Sequence, residues 1–244
     1  MKKISVYFFC PAYNEEKNLE GFISDTVKAI EEIAEDYLIT IVDDGSSDNT
    51  EMIIKNLVKK YKKVETIRHK QNMGYGAALI TGFTNPKRVN YDFVAYADSD
   101  GQIKPEEFKK FVPFLEDYDA VIGYRMDRQD TFYRRFQSLI YNLLNHMFFK
   151  LTFKDFNCPF KIFKREILEH MDIEDKSFFI DTEMVVKSVL AGYRVKEVGV
   201  VHFPRITGQA SGAKIKLILG TIKGMFDFLK KYNSKSLKYR KKEI

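Results

Sequence analysis

Two carboxylates and an amide occur at alternate positions where a predicted strand ends. The stretch Tyr91–Gln102, YDFVAYADSDGQ, begins with four apolar, β-compatible residues, and Asp98, Asp100 and Gln102 follow. An i, i+2 spacing on extended chain aims both carboxylates to one side, where they repel each other unless a cation lies between them. Because Mg²⁺ and Mn²⁺ prefer carboxylate, amide and phosphate oxygens, the spacing predicts a divalent-metal site at the mouth of a sheet.

The same residues have a second interpretation, as an acidic loop that only caps the next helix. That helix is predicted to begin near Pro105, and Glu106 and Glu107 follow in its first turn. The spacing alone does not distinguish the two interpretations, which depend on the elements that position these residues.

Apolar runs alternate with amphipathic segments through the first half of the chain. The runs predict strands at Lys3–Cys10, Leu38–Val42, Val64–Arg68, Phe93–Tyr96 and Ala120–Gly123. The segments between them predict four helices. The first carries Leu19 to Ile33, and the second runs from a cap at Ser47 or Asp48 to Tyr61. The third runs from the glycine turn Gln71–Gly76 to Phe83, and the fourth spans Pro105–Leu115. Pro11 is expected to end the first strand. This alternation predicts an α/β fold, a Rossmann-like and mostly parallel sheet flanked by helices.

Polar turns follow the carboxyl ends of the predicted strands. Tyr13, Glu15, Asp44, Asp98 and Asp100 all lie on such turns. In a parallel sheet these ends meet in one crevice, which is where such sheets bind ligands, and carboxylates there suit contact with ribose hydroxyls. The pattern therefore predicts a nucleotide-type crevice.

The second half of the chain is less regular. Thr131–Leu151 is predicted as a long helix with a wide apolar stripe, which either packs in the core or lies on a bilayer surface. Phe178–Ala191 is predicted as a helix with Asp181 and Glu183 at its head. A helix from Ile215 to Leu229 has a basic flank, which suits an interface or packing back onto the domain.

Charge and cysteine content limit the classes of partner and compartment. The net charge is +6, and the tail, residues 235–244, carries five basic residues against one Glu. Basic residues without an aromatic-interleaved stripe on one surface disfavour nucleic-acid binding. Cys10 and Cys158 are expected to be free thiols in a reducing cytosol, and no run of 18 apolar residues predicts a membrane span.

Several sequence blocks, in this order, resemble family 2 glycosyltransferases with the GT-A fold. They are PAYNE (Pro11–Glu15), VDDGSSDNT (Val42–Thr50), NMGYGAAL (Asn72–Leu79), ADSDGQ (Ala97–Gln102), GYR (Gly123–Arg125), NCPFKIFKRE (Asn157–Glu166), DTE (Asp181–Glu183), HFPR (His202–Arg205) and SGAK (Ser211–Lys214). The subgroup most similar is that of dolichyl- and undecaprenyl-phosphate sugar synthases. Many of its members have C-G-F-K where this chain has Pro159, and proline supplies neither a backbone N–H nor a positive φ.

The resemblance implies a role for each matching residue. The nucleotide-sugar-binding set is Pro11, Tyr13, Glu15, Asp44, Asp98, Ser99, Asp100, Arg125 and Lys214. The metal set is Asp98, Asp100 and Gln102, holding Mg²⁺ or Mn²⁺. Arg134 and Ser138, one helical turn apart, are implied to bind an acceptor phosphate. The catalytic set is Asp181, Glu183 and Arg205.

The implied reaction is inverting transfer of a hexose from a GDP- or UDP-sugar to a polyprenyl phosphate. The alternative acceptor is a glycan or other hydroxyl compound, which needs a base, and Asp181 or Glu183 are the candidates. A third interpretation is a nucleotide-sugar-binding protein without enzyme activity, which the intact metal set disfavours. Residues 1–214 are expected to form the catalytic domain and 215–244 an amphipathic basic helix and tail. The protein is expected at the cytoplasmic face of a membrane, as a peripheral protein.

Overall fold

The computed structural model describes residues 3–128, 132–204 and 215–233. The strands within these residues are β1 (Ile4–Ala12), β2 (Ala34–Asp43), β3 (Val64–Arg68), β4 (Phe93–Ala97), β5 (Ala120–Met126), β6 (Phe160–Lys164) and β7 (Val195–Val201). The α-helices are α1 (Leu19–Ile33), α2 (Thr50–Lys60), α3 (Tyr75–Thr84), α4 (Phe132–Phe149), α5 (Arg165–Glu169), α6 (Ile180–Leu190) and α7 (Ile215–Asn233). Short 3₁₀ helices occupy Pro86–Asn90, Pro105–Lys110 and Val112–Phe114.

The strands form one mixed, mostly parallel sheet in the order β3-β2-β1-β4-β6-β5-β7. β1 pairs in parallel with β2 and β4, β2 with β3, and β5 with β7, whereas β6 runs antiparallel to both β4 and β5. The predicted α/β fold with a mostly parallel sheet is confirmed. Because β1 has a neighbour on each side and the chain reaches β4 only after β3, the topological switch point lies between β1 and β4.

β1 is buried on both faces of the sheet. Val6, Phe8 and Cys10 join the cluster beneath α1 and α2, while Tyr7 and Phe9 join the cluster on the opposite face, beneath α3 and α6. Alternate side chains of a strand point to opposite faces, so a continuous apolar run is the pattern that a doubly covered strand requires. Burial on both faces holds the end of β1 rigidly at the crevice.

Two predicted boundaries are wrong for physical reasons that involve proline. β1 continues through Pro11 to Ala12, because β4 pairs with β1 only as far as Phe9, so the missing N–H of Pro11 removes no bond to that strand. The predicted helix Pro105–Leu115 is instead two 3₁₀ turns, with Pro113 in the second. Proline disfavours the α conformation at the residue before it and donates no N–H.

The C-terminal helix α7 packs back onto the domain. Met225 and Phe228 are buried in a third apolar cluster, to which α6 contributes Val185 and Val186, and Phe148 of α4 packs against it. The sequence left two interpretations of this helix, an interface helix or a helix packed on the domain. The buried face of α7 agrees with packing on the domain. Among residues 3–128, 132–204 and 215–233, no helix combines the length and apolar character that crossing a membrane requires. Both cysteines are buried and form no disulfide.

Candidate active site

The loop that follows β1 is tied to the loop that follows β2. The amide of Asn14 donates to the Ser46 hydroxyl at 3.0 Å, and the Asn14 side-chain oxygen accepts from the amide of Ser47 at 2.8 Å. Asn14 adopts a positive φ of 56°, a conformation that asparagine tolerates better than most residues. The tie leaves the Tyr13 ring 44% exposed at the crevice edge, where it is accessible for stacking on a base.

The other predicted residues of this loop are also held in place. The amide of Glu15 donates to the Thr50 hydroxyl at 2.9 Å, and the Glu15 carboxylate accepts from the Asn18 amide nitrogen at 2.6 Å. The Pro11 carbonyl accepts from the Ser99 hydroxyl at 2.8 Å. The structure therefore brings Pro11 and Ser99, from two separate motifs, into direct contact at the switch point.

Asp44 is buried, and protein donors surround its carboxylate. It accepts from the amides of Met73 and Gly74 at 2.8 Å each, and His69 Nδ1 lies 2.7 Å away. Gly74 has a φ of 94°, which favours glycine at this turn. Asp44 thus holds the turn that begins α3, a role that its position at a strand end did not reveal, and direct contact with a nucleotide stays a prediction.

The D-x-D-x-Q segment directly follows β4. The Asp100 carboxylate accepts from the amide of Gln102 at 3.0 Å, and Gly101 has a φ of 74°. The side-chain nitrogen of Gln102 donates to the Phe203 carbonyl at 3.3 Å, and the Phe203 amide donates to the Gln102 carbonyl at 2.8 Å. Because its nitrogen is used in this way, the side-chain oxygen of Gln102 is the atom suited to a cation.

These residues fit a magnesium or manganese ion that is completed by its substrate. No group of three or more His, Cys, Asp or Glu side chains within the described residues is placed to hold a metal. Mg²⁺ characteristically binds one or two carboxylates together with substrate phosphates, rather than an all-protein cage. Asp98, Asp100 and Gln102 match that donor set. The acidic-loop interpretation is not supported, because Asp100 closes its own turn, whereas the N-cap residue of the 3₁₀ helix Pro105–Lys110 is Lys104, without a side-chain capping bond.

Asp181 lies in a buried polar cluster that we call the Asp181 cluster, formed with Tyr75, Tyr96 and Lys161. The Lys161 ammonium donates to the Asp181 carboxylate at 2.8 Å and to the Tyr96 hydroxyl at 3.0 Å. The Tyr75 hydroxyl donates to the other carboxylate oxygen at 3.1 Å, and the Tyr96 hydroxyl donates to the oxygen shared with Lys161. A carboxylate has about four acceptor sites, and these three donors occupy most of them.

The two tyrosines also report where the nearby charges lie. Burial, and then the negative charges of Asp181 and Asp98, raise the pKa of Tyr75 well above its ordinary value. Burial and the Asp181 charge raise the pKa of Tyr96 in the same direction, and Asp98 contributes as well. Both hydroxyls therefore stay protonated donors. The Asp181 cluster and the first carboxylate of the D-x-D pair share one electrostatic neighbourhood.

Glu183 faces a different part of the molecule from Asp181. Residues two apart on a helix project about 200° apart. The Glu183 carboxylate accepts from Lys187 Nζ at 2.5 Å and from the amides of Asp175 and Glu174 at 2.9 and 3.2 Å. It is 1% exposed. Through these contacts Glu183 holds the loop before α6 in place. They do not support its predicted role as a base.

Arg125 is engaged by a buried partner. Its guanidinium makes a two-bond contact with Asp155, at 2.6 and 2.9 Å. Burial raises the pKa of Asp155, but the adjacent Arg125 charge outweighs it and the net pKa lies below its ordinary value. This ion pair anchors the loop before β6, so Arg125 has a structural role. Its contact with a sugar diphosphate stays a prediction.

The predicted acceptor-phosphate pair lies near the start of α4. Arg134 is partly buried, and Ser138 is one turn further along the same face. Arg128 Nη1 donates to the Ser138 hydroxyl at 2.5 Å, which adds a second cationic side chain that the sequence did not indicate. Arg205 and Lys214 lie outside the described residues.

Lys161 and its tyrosine partners were also missed from the sequence. The available signal was a lysine at the second position of the strand FKIFK, between two buried apolar residues. Pro159, the departure from the family pattern, accepts the Asp98 amide through its carbonyl at 3.3 Å. The proline therefore keeps a contact that needs no N–H.

Comparisons with known proteins place this chain in a known family. The family profile described as Glycosyl transferase family 2 matches residues 7–172. Two curated relatives, from Serratia proteamaculans and Photorhabdus laumondii, are undecaprenyl-phosphate 4-deoxy-4-formamido-L-arabinose transferases. Each is 31% identical over 221 residues, covering 89% of this chain but only 65% of the relative.

Solved structures share the fold at low sequence identity. Glucosyl-3-phosphoglycerate synthase from Mycobacterium tuberculosis, in complex with Mn²⁺, UDP and glucosyl-3-phosphoglycerate, superposes with a TM-score of 0.71 at 15% identity. The match covers 92% of this chain and 79% of that one. The same enzyme with Mg²⁺ and UDP gives a TM-score of 0.68, also at 15% identity, over 92% of this chain and 79% of that one.

Proposed function

This chain belongs to glycosyltransferase family 2, and from that membership we propose that it transfers a sugar from a GDP- or UDP-hexose type donor to a polyprenyl phosphate. The family profile covers the crevice and its metal set. The curated relatives are undecaprenyl-phosphate sugar transferases, and this chain spans about two thirds of their length, 65%. The sugar, the lipid and the activity of the whole protein are therefore proposals.

The exposed face of α4 is the observation that carries the lipid acceptor. Five apolar side chains on this face are 43–65% exposed, and they recur at helical spacing: Phe136, Leu139, Ile140, Leu143 and Met147. A contiguous apolar stripe that remains open to solvent is a feature of membrane or protein interfaces. At about 100° per residue, Arg134 and Ser138 project from the opposite side of α4, so the stripe supports contact with a lipid surface but does not itself place a phosphate beside this pair.

The helix α7 extends this surface and adds positive charge. Leu219 and Phe226 are exposed on α7, and the Phe226 ring lies 5.9 Å from that of Phe148 on α4. Lys223 and Lys230 are also exposed. Apolar residues flanked by lysines favour the surface of an anionic bilayer. We therefore propose peripheral attachment at the cytoplasmic face, with residues 1–214 as the catalytic domain and 215–244 as its basic C-terminal helix and tail.

The reaction proposed is a single displacement. An ionised acceptor oxygen attacks the anomeric carbon, the bond to the diphosphate breaks, and its electron pair leaves with the nucleoside diphosphate. A hydroxyl acceptor would need a base, and Asp181 already accepts from three protein donors. An ionised phosphate needs none. A Mg²⁺ or Mn²⁺ ion bound by Asp98, Asp100 and Gln102 would supply positive charge for the diphosphate.

The test is transfer by the purified protein from labelled UDP- and GDP-sugars with Mn²⁺. The acceptors are undecaprenyl phosphate, dolichyl phosphate, the matched unphosphorylated prenols and water-soluble glycans. We expect label in the organic phase only with the phosphorylated lipids. Label confined to the glycans would select the hydroxyl-acceptor alternative, and donor binding without transfer to any acceptor would select a binding protein.

A further inference from the structure

A fully buried lysine occupies the second position of β6. Lys161 is 0% exposed, and its ammonium donates to the Asp181 carboxylate, the Tyr96 hydroxyl and the Cys158 carbonyl. Taking an ion pair out of water costs free energy that apolar residues of similar size would not. A buried pair is therefore weak evidence for a stabilising role, and the contacts that this pair makes must account for it.

Those contacts join elements that carry different parts of the proposed site. Lys161 lies opposite Tyr96 in the β4–β6 ladder, and Tyr96 is two residues before Asp98 on the strand that leads to the metal set. Asp181 belongs to the first turn of α6. Tyr75 begins α3, directly after the turn that Asp44 holds, and its ring stacks on Phe178 at 4.7 Å.

We propose that Lys161, Tyr75 and Tyr96 are positioning residues, which hold Asp181 so that α3 and α6 keep a fixed register against the metal-binding end of β4. This inference rests on the proposed transferase function. The Lys161 ammonium lies 2.8 Å from the Asp181 carboxylate. That carboxylate is the shared acceptor for two tyrosine hydroxyls, and an apolar pair of the same volume would leave both hydroxyls without it. The Asp181 cluster thus fixes the positions of α3 and α6 relative to the end of β4.

Removing both charges separates positioning from simple stabilisation. Lys161→Met and Asp181→Asn each leave a buried charge without its partner and should lower the Tm. The double variant Lys161→Met/Asp181→Leu leaves no uncompensated charge and should have a higher Tm than either single variant, although two buried hydroxyls lose their acceptor. Its kcat should nevertheless stay about 100-fold below wild type, the scale of a misplacement near 1 Å, with the donor KM within about threefold. Recovery of both Tm and kcat would show that the pair only stabilises the fold.

Isosteric tyrosine variants test the same inference without disturbing the charges. Tyr75→Phe and Tyr96→Phe each remove one hydroxyl from Asp181 and should lower kcat about tenfold or more, with the donor KM nearly constant. The matched control is Tyr7→Phe, which removes a buried hydroxyl bonded to Asn85 at 3.0 Å on the same face of the sheet. The control should keep kcat within about twofold of wild type. Equal kcat in all three variants would overturn the inference, including in the case where the double variant does not fold.

A second readout separates this inference from the proposed acceptor. Release of UDP or GDP from the labelled donors is measured without any lipid. If the wild type releases nucleotide but glycosylates no polyprenyl phosphate, the proposed acceptor is wrong. The variants are then ranked by nucleotide release, and the same order, with Tyr7→Phe near wild type and the cluster variants below it, is required.

Discussion

At the scale of single residues, the chemistry of a carboxylate here depends on which donors surround it. Asp44 accepts hydrogen bonds from two backbone amides, and Asp181 accepts from an ammonium and two hydroxyls. Glu183 accepts from a lysine side chain and from backbone amides of the loop before α6. Asp98 and Asp100 follow the strand that ends at the switch point, and Asp100 also accepts from the amide of Gln102 in the same loop. The D-x-D pair is therefore the part of the acidic set that best fits a metal and a diphosphate.

Replacing Asp100 with alanine should abolish transfer and leave the fold intact. The loss of one ligand of the cation that faces the diphosphate should cost several kcal/mol of transition-state stabilisation, about 100-fold or more in kcat. Transfer is measured with saturating Mn²⁺, and folding by the unfolding midpoint. Asp25→Ala, at a carboxylate 54% exposed on α1, is the control and should behave as wild type. Turnover by Asp100→Ala within about tenfold of wild type would reject the metal assignment.

Arg134→Ala should weaken the acceptor selectively. Arg134 and Ser138 share one face of α4, and a guanidinium suits a phosphate because its fork donates two charge-assisted bonds. The acceptor KM should rise about tenfold while the donor KM stays nearly constant. Arg135→Ala is the matched control, because residue 135 is exposed and projects about 100° away around the helix. Equal and small effects of the two variants on either substrate would move the phosphate site away from this helix.

At the scale of elements, α4 divides its apolar stripe between two environments. Leu144 and Phe148 pack against the third apolar cluster, whereas Leu139 and Leu143 are 65% and 63% exposed. The sequence shows one wide stripe and does not show where the boundary lies. That boundary depends on which side α6 and α7 cover, so both interpretations of this helix describe part of it.

Leu139→Gln/Leu143→Gln should release the protein from vesicles without lowering its Tm. Exposed leucines contribute little to folding, but each contributes apolar area to a bilayer interface. Flotation with vesicles of anionic and neutral lipid measures the bound fraction. Met52→Gln, at a residue 59% exposed on α2, is the control and should bind as wild type. Binding by the double variant equal to wild type, or binding by wild type that ignores lipid charge and salt, would contradict the proposed membrane surface.

At the scale of the whole molecule, the crevice lies between two halves that meet at β1 and β4. The first half supplies Tyr13, Glu15 and Asp44 from parallel strands, and the second half adds the antiparallel β6 and the head of α6. Because β6 is inserted beside β4, a lysine from late in the chain reaches the strand that carries the metal set. Binding on one side of the crevice is therefore expected to depend on ligands held at the other.

Mn²⁺ and a nucleoside diphosphate should stabilise the protein together more than the sum of their separate effects. Two carboxylates and an amide bind a cation weakly, and the diphosphate supplies the remaining oxygens. The Tm is measured with MnCl₂ alone, with UDP or GDP alone, and with each pair, where ligand binding to the native state raises stability by mass action. The excess shift should disappear with EDTA and in Asp100→Ala. Purely additive shifts would contradict a shared site.

The sequence by itself predicted the alternating strands and helical segments from β1 to β5, the continuous apolar run that β1 buries on both faces, and the acidic residues at the strand ends. These features depend on local periodicity, on the apolar runs and on turn residues, which are all read within a few positions. Proline altered the outcome at Pro11 and Pro113, and β2 and β5 are longer than predicted, beginning at Ala34 and ending at Met126.

Only the tertiary structure decided which of the candidate residues act together. The partners of Asp181 lie 20 to 106 residues away along the chain, and those of Asp44 lie 25 to 30 residues away. Residue type does not encode such partners, because a carboxylate is equally able to cap a turn, pair with a lysine or face a cation. The rotation of α6 separated Asp181 from Glu183, and the packing of α7 covered one side of α4. Those choices follow from three-dimensional packing and long-range pairing, which no local pattern in the sequence contains.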